Sequence, residues 1–117
     1  MSHQIRYLRE ILSFIERIQN YTAAGEHEFF PSTLVQDAVI RNLELIGEIA
    51  RNRLNEQTKD LAPETPWRAI ADFRNLLIHM YDQVNLDIVW NTVQVQLPLL
   101  KSTVEKLISN LPESDTQ

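Results

Sequence analysis

Between Asp72 and Tyr81 the chain reads Asp72-Phe73-Arg74-Asn75-Leu76-Leu77-Ile78-His79-Met80-Tyr81, and two of these residues offer the chemistry most worth pursuing. His79 carries an imidazole, a group whose ordinary pKa of about 6.5 lets it give or take a proton near neutrality. Arg74, five residues earlier, presents a permanently charged planar fork of donors suited to a phosphate. On a helix at about 100° per residue, Arg68, Asp72, Asn75 and His79 fall within about 60° of one another, a polar face that ends in the imidazole. Arg74 and Tyr81 share a second stripe, roughly 140° from His79. An ideal helix therefore does not aim Arg74 and His79 at one point. They converge if the helix end distorts, if long side chains wrap around it, or if a second copy of the chain contributes. The same residues also suit an ordinary solvated helix face, with Arg68 and Asp72 as a plain i,i+4 ion pair.

Other chemistry is sparse. His3 is terminal and His27 sits between Glu26 and Glu28 in a polar loop, neither with a second ligand at helical spacing, so both read as solvated surface residues and no metal site is expected. Cysteine is absent, which excludes disulfides, thiolate metal sites and a cysteine nucleophile, and suits a reducing cytoplasm. The two glycines, Gly25 and Gly47, are too few for a phosphate-binding glycine loop or for a turn-rich β fold. Residues 1–19 mix Arg6, Arg9, Glu10, Glu16 and Arg17 into apolar positions, unlike a signal peptide, and no stretch approaches the ~18 apolar residues of a membrane span. No membrane contact and a cytoplasmic location are the resulting expectations.

Four long helical patterns must position Arg74 and His79. The first spans residues 2–21, with Ile5, Leu8, Leu12 and Ile15 on one stripe. The second starts at the N-cap Ser32 and runs to about Asn55, with Leu34, Ala38, Leu45, Ile46 and Ile49 on its main face and Leu43, Ala50 and Leu54 widening it. Residues 23–31 and 56–64 read as loops. Thr65-Pro66 signals the third helix, a capping hydroxyl followed by proline at the first helical position, which runs to Tyr81 with Ile70, Phe73, Leu77 and Met80 toward the core. The fourth runs from Asn85 to Asn110 on a stripe including Val89, Val93, Leu97, Leu100 and Val104, and Pro98 should distort it because its bond to the Gln94 carbonyl is lost. The expected fold is all-α, an antiparallel up-and-down bundle forming a single domain over residues 1–117, with 110–117 as a frayed tail. Several apolar arcs are wider than one bundle face requires, so a homodimer is expected.

The stretch Arg74-Asn75-Leu76-Leu77-Ile78-His79-Met80-Tyr81 resembles the Arg-x4-His-x-Tyr signature of HepT-type toxins, a branch of the HEPN ribonucleases. The segment 38–48, Ala-Val-Ile-Arg-Asn-Leu-Glu-Leu-Ile-Gly-Glu, is similar to that family's second helix, and the opening residues 5–12 and the Pro66-Trp67 entry to the motif helix also fit. The resemblance thus covers nearly the whole chain, in order. It implies a dimerising helical bundle acting as a metal-independent endoribonuclease without cofactors. It also implies the toxin of a prokaryotic toxin–antitoxin pair. The partner would be a minimal nucleotidyltransferase antitoxin of the MNT type that transfers AMP from ATP to the motif tyrosine, here Tyr81.

In such an enzyme the RNA 2′-hydroxyl attacks the adjacent phosphorus. His79 is expected as general acid or base, Arg74 as holder of the scissile phosphate, and Asn75 as a further donor in the same site. The helical wheel alone suggests that Asp72 orients His79. A 2′,3′-cyclic phosphate is the expected product, from transfer or messenger RNA. AMP on Tyr81 would add charge and bulk beside Arg74, whereas an unmodified Tyr81 would simply pack at the helix end. Gly47 interrupts a helix at about 1 kcal/mol relative to alanine, which fits a close helix crossing, while Glu48 reads equally as a surface residue or as part of the cleft. The other class open to such a chain is a non-catalytic helical module that binds a nucleotidyltransferase, which the intact Arg74, His79 and Tyr81 argue against.

The chain has 117 residues, with 11 basic against 16 acidic side chains, a formal charge of −5. That balance argues against broad, charge-driven coating of nucleic acid. The bases are not spread evenly: residues 41–74 hold six of them, five being arginines, against six acids. A small arginine-lined cleft, doubled by dimerisation, is compatible with an otherwise anionic surface.

Overall fold

The computed structural model describes residues 3–112, apart from the Tyr81 side chain. Regular structure in this range is helical throughout, as the periodicities predict, and the described residues include no strand. The order is α1 (Gln4–Tyr21), α2 (Glu26–Phe29), α3 (Thr33–Asn52), α4 (Glu56–Asp60) and α5 (Trp67–His79). A 3-10 turn (Tyr81–Gln83), α6 (Leu86–Asn91), a π-helical turn (Thr92–Gln96) and α7 (Leu97–Asn110) complete it. The expected tail beyond residue 112 lies outside the described residues.

Local chemistry explains most of these boundaries. Ser32 caps α3 as predicted, its hydroxyl oxygen accepting from the Val35 amide at 3.1 Å. Asn85 caps α6, its side-chain oxygen accepting from the Asp87 amide at 2.9 Å. The two predicted loops each contain a short helix, α2 and α4, the latter capped by Asn55, whose side-chain oxygen accepts from the Thr58 amide at 2.8 Å. The Thr65 hydroxyl does not cap α5; Pro66 occupies the capping position, and helical structure begins at Trp67. The start is held instead by the buried indole of Trp67, whose Nε1–H donates to the carbonyls of Lys59 and Ala62, each at 3.2 Å. The distortion expected at Pro98 takes the form of a π turn just before it, in which the Leu97 amide reaches back to Thr92.

Helix α5 packs on α3, α3 on α1, and α1 on α7. Helix α1 runs antiparallel to both α3 and α7. The Gln4 side chain at the start of α1 donates to the Arg53 carbonyl and accepts from the Asn55 amide beyond the end of α3, and Lys101 of α7 donates to Gln19 near the end of α1. The core is a ladder of aliphatic residues, among them Leu8, Ile11, Ile15, Val39, Leu77 and Val104, all fully buried. Removing such side chains from water is the dominant favourable contribution to the fold.

The buried face of α3 is rotated from the expected one. Val39, Leu43, Ile46 and Ala50 are buried, whereas Leu34 is 79% exposed. At about 100° per residue Leu34 lies roughly 140° from Val39, so it cannot share that face. Met80, expected in the core, is exposed because α5 has ended one residue before it. An apolar cleft of about 570 Å³ opens between α3, α5 and the α6–α7 run, lined by residues that include Ile46, Ile70, Phe73, Ile88, Leu97 and Leu99.

Candidate active site

Gly47 decides how Arg74 is placed. It lies in the middle of α3, where α5 crosses, and an added Cβ there would fall inside the contact radius of Arg74 Cβ, 3.1 Å from Arg74 Cγ and 3.1 Å from the Ile70 carbonyl oxygen. The crossing thus uses the absent side chain to seat the stem of Arg74 directly against α3. The close helix contact expected at Gly47 is present, and its partner is the motif arginine itself.

Laid along α3 in this way, Arg74 meets the next residue. Its Nη2 sits 2.8 Å from Glu48 Oε1, an ion pair by distance whose alignment falls short of a hydrogen bond. The Arg74 side chain is 26% exposed and that of Glu48 36%, while Oε1 and Arg74 Nε are both shut off from solvent. The other carboxylate oxygen, Oε2, accepts from Asn52 Nδ2 at 2.8 Å, one turn further along α3. Arg74 Nη1 donates to Asn75 Oδ1 at 2.9 Å, so Asn75 acts toward the arginine as an acceptor. The result is a chain of contacts, Asn52 to Glu48 to Arg74 to Asn75, spanning two helices.

His79 is placed differently. It is the last residue of α5 and is exposed, and among the described residues its ring has no hydrogen-bond or ion-pair partner. Asp72 faces Arg68, with its Oδ2 4.0 Å from Nε, and both side chains stand in solvent at 68% and 95% exposure. No contact joins Asp72 to His79 among the described residues. One chain therefore ties Arg74 and Asn75 together and leaves His79 separate, in keeping with the divergence of their stripes on the wheel. Tyr81 opens the 3-10 turn that follows α5, and its side chain lies outside the described ones.

Arg51, Lys59 and Arg68 line a shallow hollow at the start of α5, together with Glu56, Asp60 and Asp72. The arginine-rich stretch is thus interleaved with acids in space as well as in sequence. Among the described residues no three His, Asp or Glu side chains gather as a metal site, and no helix is long and apolar enough to cross a membrane.

Sequence reasoning left Glu48 undecided and missed Asn52 altogether. The available signal was the glycine next to Glu48: a tight crossing at one position brings the following residue within reach of whatever crosses there.

Comparison with known proteins gives the family. The family described as Ribonuclease HepT-like matches residues 11–107, which contain α3, α5 and the whole Arg74-x4-His79-x-Tyr81 motif. A protein of Thermococcus cleftensis named a probable ribonuclease HepT is 43% identical over 102 residues, covering 86% of this chain and 92% of its own. A Methanocaldococcus jannaschii protein whose name pairs gamma-glutamylcyclotransferase with RNase is 38% identical over 109 residues, 92% of this chain. The present chain spans about half of that relative, 49% of its length. A second protein of that organism, also with an RNase name, is 34% identical over 108 residues, 92% of each chain. No solved structure matches. A family match over residues 11–107, with relatives 34–43% identical over most of the chain, shows that this protein belongs to the HepT-like ribonuclease family.

Proposed function

We propose that this chain is the toxin of a toxin–antitoxin pair and acts as a metal-independent endoribonuclease. Arg74 binds the scissile phosphate, and His79 moves a proton to or from the reacting oxygens as the 2′-hydroxyl attacks, leaving a 2′,3′-cyclic phosphate. Asn75 supports the site by holding Arg74 Nη1. The observation that carries this reading is the intact Arg74-x4-His79 motif at the end of α5, inside the region matched by the family.

A second copy of the chain completes the site in this reading, since a single helix does not aim both side chains at one phosphate. The apolar cleft beside α5 supports such an association. Ile88 and Leu99 on its rim are 52% and 63% exposed, and Leu76 and Met80 are exposed on α5 and just beyond its end. The partner in the cell is an MNT-type nucleotidyltransferase, and transfer of AMP to Tyr81, two residues beyond His79 in the motif, silences the toxin by adding negative charge and bulk that repel and block an RNA phosphate.

The test is cleavage of RNA by the purified chain in EDTA. Wild-type protein is expected to yield 2′,3′-cyclic ends, and His79→Ala to be folded and inactive. Activity that survives His79→Ala refutes the catalytic assignment. Growth arrest on expression without the neighbouring gene, relieved by His79→Ala, supports the toxin role; arrest that persists in that variant favours a binding module. A mass gain of AMP units with antitoxin and ATP, absent in Tyr81→Phe, tests the modification.

A further inference from the structure

Two features stand outside this reading: the mixed-charge hollow at the start of α5, and the carboxylate on Arg74. Only the second combines a defined chemical group with a defined target. We propose that Glu48 is the positioning residue of Arg74, holding the guanidinium in the orientation that receives the phosphate. The inference rests on the reading of Arg74 as the phosphate-binding group.

The geometry supports it from both ends. Gly47 brings the stem of Arg74 against α3, which fixes where the side chain begins. Glu48 meets Nη2 at 2.8 Å, and Asn75 meets Nη1 at 2.9 Å, so each terminal nitrogen has a partner, one from each helix. Glu48 is not free to swing away, because Asn52 holds its second oxygen at 2.8 Å. Arg74 Nε is shut off from solvent, so a phosphate must approach the terminal nitrogens, the part of the fork that Glu48 and Asn75 orient. An unrestrained arginine samples many rotamers, and fixing it in advance removes that entropy cost from the activation barrier. Misplacement of such a group by about 1 Å is enough to lower turnover about a hundredfold.

A carboxylate beside a phosphate-binding arginine also repels the phosphate. Positioning and competition therefore make opposite predictions. If Glu48 positions Arg74, its loss lowers kcat and affects KM little. If it merely competes for Arg74, its loss lowers KM and raises kcat/KM.

The experiment uses the full chain with two readouts. The first needs no activity: the Nε–H resonance of Arg74, assigned by its absence in Arg74→Ala, is followed by NMR without RNA. In wild-type protein and Glu48→Gln it should be resolved and protected from exchange; in Glu48→Ala it should join the exposed arginines. Glu48→Gln keeps an acceptor for Arg74 at nearly the same volume, so it also guards against a fold defect. The second readout is cleavage of a short single-stranded RNA with a fluorophore and quencher. Glu48→Ala should lower kcat at least about tenfold with KM within about threefold, Glu48→Gln should recover most of the loss, and Asn52→Ala should show a smaller drop of the same kind. An unchanged Arg74 resonance in Glu48→Ala, or a rise in kcat/KM, overturns the proposal. So does a disordered Arg74 with unchanged kcat. If Arg74→Ala cleaves like wild type while the resonance still depends on Glu48, the reading of Arg74 fails and the contact between the two residues stands.

Discussion

Replacing Gly47 with alanine sets two effects against each other, and the structure says which wins. In an isolated helix alanine is favoured over glycine by about 1 kcal/mol. Here the new methyl group would enter the contact radius of Arg74 Cβ and lie 3.1 Å from both Arg74 Cγ and the Ile70 carbonyl oxygen, where carbon contacts normally sit near 3.5–4.0 Å. Neither Cβ nor a carbonyl can turn aside as a side-chain tip can, because both move only with the backbone of α5. The helices must part, loosening the packing of Ile46 and Ile70 along the same crossing. Overpacking of this kind costs about 1–3 kcal/mol, and the absence of any side-chain escape places this case at the upper end. Set against the helix gain, a net destabilisation of about 1–2 kcal/mol follows. For a chain of this size that corresponds to a fall in Tm of roughly 4–8 °C. Thermal unfolding followed by far-UV circular dichroism, at fixed protein concentration because an associating chain melts in a concentration-dependent way, measures it directly. Cleavage should fall more than stability accounts for, since Arg74 is pushed away from Glu48. A Tm equal to or above wild type would mean that helix propensity dominates, that the crossing is not tight, and that Gly47 does not seat Arg74.

Two surface predictions probe the rest of the reading. Leu99→Asp places a charge on the rim of the apolar cleft; if that cleft is the face between copies, light scattering should show a halved mass with the helical spectrum retained, and an unchanged mass would place the interface elsewhere. Arg68→Ala removes one half of an ion pair in which both partners are largely solvated, so stability in a denaturant titration should change by less than about 0.5 kcal/mol, and a larger loss would show that the pair is bound into a network.

Much of the architecture was legible because the signals that make helices are local. The Ser32 cap, the Asn85 start, the aliphatic periodicity of α1 and the α6–α7 run, and the disturbance before Pro98 all depend on residues within a turn or two of one another. Where sequence reasoning went astray, a distant partner had intervened. The start of α5 is held by an indole reaching back to Lys59 and Ala62, not by the nearer threonine hydroxyl. Leu34 joined an apolar pattern on the wheel yet stands in solvent, because the neighbouring helices, not the pattern, choose which side of a broad apolar arc is covered.

The site divides in the same way. The Arg74-x4-His79-x-Tyr81 spacing, the divergence of Arg74 from His79 and the special character of Gly47 are properties of one helix at a time, and the order of residues determines them. That Arg74 is the side chain lying over Gly47, and that Glu48 and Asn52 complete its surroundings, depends on α3 and α5 crossing at one particular level. Arg74 and Glu48 stand far apart along the chain, so no local periodicity connects them. Their contact follows from burying the apolar faces of two packed helices, which fixes the register of the crossing, and only the tertiary structure decides that register.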